Sequence, residues 1–195
     1  PIKGTRPRVA DIIQDRANKN DLLSNEKDMA ENTMIVDLLR NDLSKVCTPD
    51  SVEVVDLCKL ESFVSVHHLV SHIRGQLTYN KGAIDLLRAC FPGGSITGAP
   101  KIRAMEILEE LEGIRRAAYC GSIGYIGFDD NMDTNILIRT LVYESRKISL
   151  QVGGGIVADS DPLAEYQETL DKAAAMFGSF KTDDQANTSS LSKAG

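Results

Sequence analysis

Carboxylates and cations stand at helical spacing in two places. Towards the end of the chain Glu165, Glu168 and Lys172 are three and four residues apart, so all three side chains share one helical face. Two carboxylates so placed can hold a divalent cation, with Lys172 close by to meet a substrate anion. The same spacing equally describes a solvated face carrying an ordinary Glu168–Lys172 pair. Asp28 and Glu31 form a second acidic pair at helical spacing. Hard oxygen ligands from two helices suit magnesium, which keeps several waters and bridges to a carboxylate or phosphate. The favourable field at a helix start explains Asp28 and Glu31 just as well.

Two glycine-rich stretches, GGSITGAPK and VGGGIV, let backbone amides approach an anion closely. Neither has the GxxxxGK[ST] pattern or a dinucleotide-binding context, so carboxylate binding by amides stays open while phosphate binding has little support. His67 and His68 are adjacent, so in a strand they point to opposite faces and one of them alone can enter a given site. Arg139 sits in the apolar run ILIRTLV, where a guanidinium is costly to bury without a fixed anion. Lys3, in a segment flanked by proline and glycine, reads by itself as a surface lysine.

The elements that must position these residues follow from periodicity. PIKGTRPR reads as a loop followed by a polar stretch. SNEKDMAENTMIVDLLRNDLSKV has apolar residues at three- and four-residue intervals and is a helix. VEVVDL and FVSVHHLVSHI are rich in β-branched residues and read as strands, and residues 81–90 as a short helix. A glycine-rich loop then leads through Pro100, at a favourable first helical position, into an amphipathic helix that stops at Gly113. Strands are expected around CGSIGYIGF, TNILIRTLVY and KISLQVG, and a last helix over LAEYQETLDKAAAMF. Helices interspersed with hairpin-like strands indicate an α+β fold. Residues 181–195 are expected to be a disordered polar tail.

Composition narrows the classes. The chain has 195 residues, 42% hydrophobic and 26% charged, enough for a substantial core. No apolar run approaches the roughly 20 residues of a membrane-spanning helix. A net charge of -6 without a basic cluster argues against nucleic acid. Cys47, Cys58, Cys90 and Cys120 lack CxxC spacing and are expected as reduced, buried thiols in a cytoplasmic protein. The opening Pro1, with no initiator Met or leader before it, reads as a cut inside a larger protein.

Together PIKGTRPR, AENTMIVDLLRNDLSKV, HHLVS, GGSITGAPKIRAMEI, YCGSIGYIGF, MDTNILIRT, GGGIVADS and AEYQETLDKA resemble the chorismate-binding domain shared by anthranilate, aminodeoxychorismate, isochorismate and salicylate synthases. The resemblance implies two packed, mainly antiparallel β-sheets flanked by helices, with residues 1–180 forming the C-terminal part of the chorismate-binding catalytic domain. It implies that Glu31 and Glu168 hold a magnesium ion that grips the ring carboxylate of chorismate, with Glu165 and Asp28 in support. Tyr119, Arg139 and Lys172 match residues that receive substrate carboxylates, and Gly4, Thr5, Gly154 and Gly155 match the rest of the anion cradle. His68 matches the active-site histidine, which leaves His67 as the bystander.

Within that family, PIKGT, FPGGSITGAPK and SVHHLVS look like the aminodeoxychorismate-forming members, whereas anthranilate synthases look like PIAGT at the first of these. The implied chemistry is addition of the Lys3 amine to ring C2 as the C4 hydroxyl leaves, then addition of ammonia at C4 with expulsion of the lysine. Ammonia would come from a glutamine amidotransferase partner. The implied alternatives are anthranilate synthase component I, or a non-catalytic chorismate-binding fragment. Retention of Lys3, Glu31, His68, Arg139, Glu168 and Lys172 together argues against the latter.

Overall fold

The computed structural model describes residues 1–158 and 160–178, so the expected tail at 181–195 lies outside the described residues. The chain divides into two compact units. One comprises Pro1–Arg115 with Gly124–Asn135, the other Arg116–Ile123 with the described residues from Ile136 onward.

In the first unit, β1 (Ile2–Pro7), β2 (Glu53–Ser62) and β3 (Val66–Arg74) form an antiparallel sheet in the order β1-β3-β2. Helices α1 (Ile12–Ser24) and α2 (Glu26–Ser44) lie against β1 and β3. Asp11 starts α1 by accepting from the amides of Ile13 and Gln14, each at 2.9 Å. Asn25 ends α1 and starts α2 by accepting from the Asp28 amide at 2.9 Å. Between sheet and helices Leu22, Ile35, Val36 and Leu69 are buried. Leu22 and Leu69, both fully enclosed, each stabilise the fold by about 1.5–3 kcal/mol.

Two short helices follow, α3 (Ala83–Cys90) and α4 (Lys101–Glu112). Pro100 stands just ahead of α4 as its cap residue, and Gly113 ends the helix at φ 63°, a left-handed conformation that glycine adopts without penalty. The Lys101 ammonium donates to Asp42 at 2.5 Å and to the Cys90 carbonyl at 3.3 Å, which ties the start of α4 to α2 and the end of α3. Two-stranded ribbons are formed by β4 (Ser122–Ile126) with β5 (Met132–Ile136), and by β6 (Leu141–Glu144) with β7 (Lys147–Leu150). Asp161 caps α5 (Pro162–Phe177) by accepting from the Ala164 amide at 2.9 Å.

The α+β class and its antiparallel pairings agree with the sequence. Three local expectations do not. Residues 2–7 form an edge strand instead of a loop, because their main chain finds the free edge of β3, and Pro7 needs no partner for an amide it lacks. The polar stretch after it is the helix α1. TNILIRTLVY is not one strand: β5 ends at Ile136, β6 starts at Leu141, and Arg139 between them is exposed at φ 52°. Of the thiols, all free, Cys47 and Cys120 are buried but Cys58 and Cys90 only half so. Burial pushes the Cys47 and Cys90 thiols up from their ordinary values.

Candidate functional site

The candidate residues of the first unit are arranged by one irregularity in β1. Lys3 is the ladder partner of Leu69, and Thr5 that of His68, so β1 carries an extra residue, Gly4, between them. Gly4 has φ 82°, and a Cβ there would stand 2.9 Å from Leu22 Cδ1 and 3.0 Å from Asp28 Cβ. This bulge resets the alternation of the strand. Lys3 and Arg6 both reach the helices: Lys3 Nζ lies 3.6 Å from Glu31 Oε2, and Arg6 contacts Asp21 at 2.5 Å and Asp28 at 3.2 Å. Thr5 turns the other way, its hydroxyl 2.8 Å from His68 Nδ1.

Strand alternation also separates the two histidines. His67 is fully enclosed on the helix side, with Nε2 3.0 Å from Asp15 of α1 and Nδ1 2.8 Å from the Ser62 hydroxyl. His68 is half-buried on the opposite face, beside Thr5 and 5.7 Å from the Phe63 ring. The hydrogen bond from His67 holds the Asp15 carboxyl at about 2, below its ordinary 3.8. Lys3 and His68 therefore belong to opposite faces of one sheet, with the helix-facing side holding Lys3, Glu31 and Asp28.

In the second unit, residues 151–157 run as an irregular segment ahead of α5, which carries Glu165, Glu168 and Lys172. The Lys172 ammonium pairs with Glu168 at 2.6 Å and donates to the Gly153 carbonyl at 3.1 Å, holding the glycine segment against the helix. Glu165 accepts from the Ser160 hydroxyl at 2.6 Å, and that hydroxyl accepts from the Val157 amide at 3.0 Å. Close approach explains the glycines. A Cβ on Gly153 would stand 2.8 Å from the Tyr119 hydroxyl, and one on Gly154 3.1 Å from Glu165 Oε2. Gly155 is exposed in the same segment. Arg139, Glu168, Asp171, Lys172 and Met176 line an open hollow of about 290 Å³.

The sequence-expected residues thus gather as two groups: Lys3, Gly4, Thr5, Asp28, Glu31 and His68 in the first unit, and Tyr119, Arg139, Gly154, Gly155, Glu165, Glu168 and Lys172 in the second. Among the described residues no three His, Cys, Asp or Glu side chains gather as a metal cage. The donor chemistry nonetheless fits a hard cation: each unit offers two carboxylates within one helical turn. Asp28 Oδ2 is also shielded from solvent with no hydrogen-bond donor, meeting Arg6 as an ion pair without hydrogen-bond alignment. Sequence reasoning missed Asn32 and Ser71, buried polar residues inside AENTM and HHLVS. Their spacing was the available signal, because Asn32 precedes Ile35 and Val36 by three and four residues and Ser71 follows Leu69 by two.

Residues 1–178 match the family model of chorismate binding enzymes, and the chain belongs to that family. It is 58% identical over 172 residues to aminodeoxychorismate synthase component 1 of Klebsiella aerogenes, covering 88% of this chain and 38% of that protein. It is 49% identical over 177 residues to anthranilate synthase component 1 of Pseudomonas putida, covering 91% of this chain and 36% of that one. The crystal structure of anthranilate synthase component I from Streptococcus pneumoniae superposes with a TM-score of 0.79 at 41% identity, over 90% of this chain and 41% of the other. The menaquinone-specific isochorismate synthase of Escherichia coli gives 0.78 at 25% identity, over 90% and 40%. The chain therefore spans well under half the length of the relatives it matches.

Proposed function

We propose that the protein acts in the amination of chorismate to 4-amino-4-deoxychorismate, on the route to p-aminobenzoate and folate. The observation that carries this reading is Lys3. It stands on a strand beside the Gly4 bulge, half-buried, with its amine 3.6 Å from Glu31. The 58% identity to a protein named for that product supports the same choice over anthranilate formation.

In this reading the Lys3 amine, as the free base, adds to ring C2 while the C4 hydroxyl departs as water, and the two conjugated ring double bonds shift. Ammonia then adds at C4, both double bonds return, and the Lys3 amine leaves from C2, so the enzyme is regenerated. Glu31 and Glu168, supported by Asp28 and Glu165, would hold magnesium. Bound there, it would supply a Lewis acid for the ring carboxylate. Lys172 and Arg139 would meet substrate carboxylates, with Tyr119 and the amides of Gly154 and Gly155. Thr5 and Gly4 would complete the anion cradle, and Thr5 would orient His68 through the 2.8 Å contact. A partner glutamine amidotransferase supplies the ammonia, consistent with relatives named as component 1. No described helix is long and apolar enough to cross a membrane.

The test is mass spectrometry of the product formed from chorismate, ammonium and magnesium by the full-length protein. Aminodeoxychorismate is expected, and its loss in Lys3→Ala with chorismate binding retained. Anthranilate as the product, or undiminished turnover in Lys3→Ala, would remove the reading.

A further inference from the structure

The contact between α2 and β3 contains a polar lock with no part in the chemistry proposed above. Asn32 is completely enclosed and Ser71 is 3% exposed. Asn32 Nδ2 donates to the Leu69 carbonyl at 3.1 Å, and its Oδ1 accepts from the Ser71 hydroxyl at 2.5 Å. The Ser71 oxygen in turn accepts from the Cys58 amide of β2 at 2.8 Å, and the Ser71 amide donates to the Pro1 carbonyl at 3.0 Å. One side-chain pair therefore joins α2 to β3 and β2, and the main chain of Ser71 adds the residue that leads into β1.

Stability alone does not call for these groups. Two buried polar partners replaced together by apolar groups of similar shape can leave stability nearly unchanged. Apolar contact is non-directional, however, and does not fix how far a helix is rotated or slid along a sheet. Hydrogen bonds to one carbonyl and one hydroxyl do fix both. Leu69, whose carbonyl Asn32 holds, is also the ladder partner of Lys3. Glu31 immediately precedes Asn32, and Asp28 lies one helical turn before it. A single strand residue thus indexes both the lysine and the helix that bears its carboxylate partner.

We propose that Asn32 and Ser71 are positioning residues that index α2 on the sheet so that Glu31 meets Lys3. The geometric claim stands on the structure, while its consequence for turnover rests on the function proposed above. The test uses the full-length protein with Asn32→Leu, Ser71→Ala and Ser71→Thr, the last keeping the hydroxyl. Acetylation of Lys3 is followed by peptide mass spectrometry against exposed Lys147, with circular dichroism to establish folding. In folded Asn32→Leu and Ser71→Ala, Lys3 is expected to acetylate several-fold faster while Lys147 is unchanged, and Ser71→Thr restores the slow rate. With chorismate and ammonium, kcat should fall by an order of magnitude or more with a smaller change in KM. An unaltered Lys3 rate in the folded variants, or failure of both Asn32→Leu and Ser71→Ala to fold, would overturn the positioning role. The expected acetylation pattern in a protein that does not consume chorismate would leave the lock standing and remove the proposed function alone.

Discussion

Gly4 shows how much of the candidate site depends on one residue without a side chain. Its φ of 82° is a conformation in which other residues are strained, and a Cβ would press on Leu22 and Asp28. Gly4→Ala is expected to destabilise the protein by about 1–3 kcal/mol, read as a lowered denaturation midpoint at unchanged slope. It should also separate Lys3 from Glu31, since the bulge sets which way Lys3 points. Equal midpoints would mean that the bulge tolerates a side chain. The acidic residues support a second prediction. Glu31→Lys or Glu168→Lys should abolish the magnesium dependence of chorismate binding measured by calorimetry in the full-length protein. Chorismate binding equally tight before and after chelation in the unmodified protein would end the metal assignment. At this scale the sequence was most legible where motifs were long. His68 stands on a strand, and Asp28, Glu31, Glu165, Glu168 and Lys172 stand on helices, as their periodicity indicates, while Lys3, Gly4 and Thr5 lie on a strand where a loop was expected. Asn32 and Ser71 passed as spacers because one polar residue barely alters an apolar period. Arg139 was misplaced for a related reason: β-branched neighbours read as a strand, and a left-handed residue within them leaves no mark in the periodicity.

Among elements, the legible ones were those whose burial pattern matches their period. Helix α2 buries Asn32, Ile35 and Val36 at three- and four-residue spacing, and β3 buries His67, Leu69 and Ser71 at alternate positions. Helix α1 escaped because IIQDRANKNDLLS has no apolar stripe: Ile12 and Ile13 are exposed, and Asp15 is buried along with Leu22. What replaces the stripe is Asp15 itself, an acceptor for His67, and for the Val9 amide at 3.3 Å, with Lys19 3.4 Å and Arg8 3.7 Å away. The expected consequence is an acid-labile attachment of α1. A carboxyl held at about 2 in the fold and at 3.8 when unfolded contributes stability that is complete above the unfolded value. That contribution is lost as pH falls through the folded one. Asp15→Asn should therefore be less stable than the parent near neutrality and should decline less steeply between those two values. Urea denaturation across that interval, compared between the two proteins, checks the sign. Parallel curves would show that Asp15 does not carry the linkage.

For the whole molecule the α+β class was legible from alternating periods, but the extent of burial was not. Among the described residues the buried apolar side chains are Leu22, Ile35, Val36, Val46, Cys47, Leu69, Val70 and Cys120, seven of which lie in the first unit. Amphipathic elements of both units nevertheless keep apolar residues in solvent. Ile102 and Leu111 of α4 are 69% and 77% exposed, and Leu163 of α5 is 79% exposed. Every residue of β4 is exposed, although Ile123 and Tyr125 belong to it. A domain is stable by about 5–15 kcal/mol, and each large side chain left in water forgoes about 1.5–3 kcal/mol, so a handful of such positions equals the whole margin. The 195-residue chain by itself is therefore expected to bind a hydrophobic dye, to self-associate, to melt over a broad range and to leave chorismate unconverted. The chain spans 38% of its Klebsiella aerogenes relative. Supplying the remaining length, joined or as a co-expressed chain, should suppress dye binding and sharpen the transition, with ammonia-dependent activity appearing at the same time. Calorimetry and dye titration on the two preparations decide the matter, and a sharp transition without dye binding in residues 1–195 alone would show that the exposed apolar faces carry no cost.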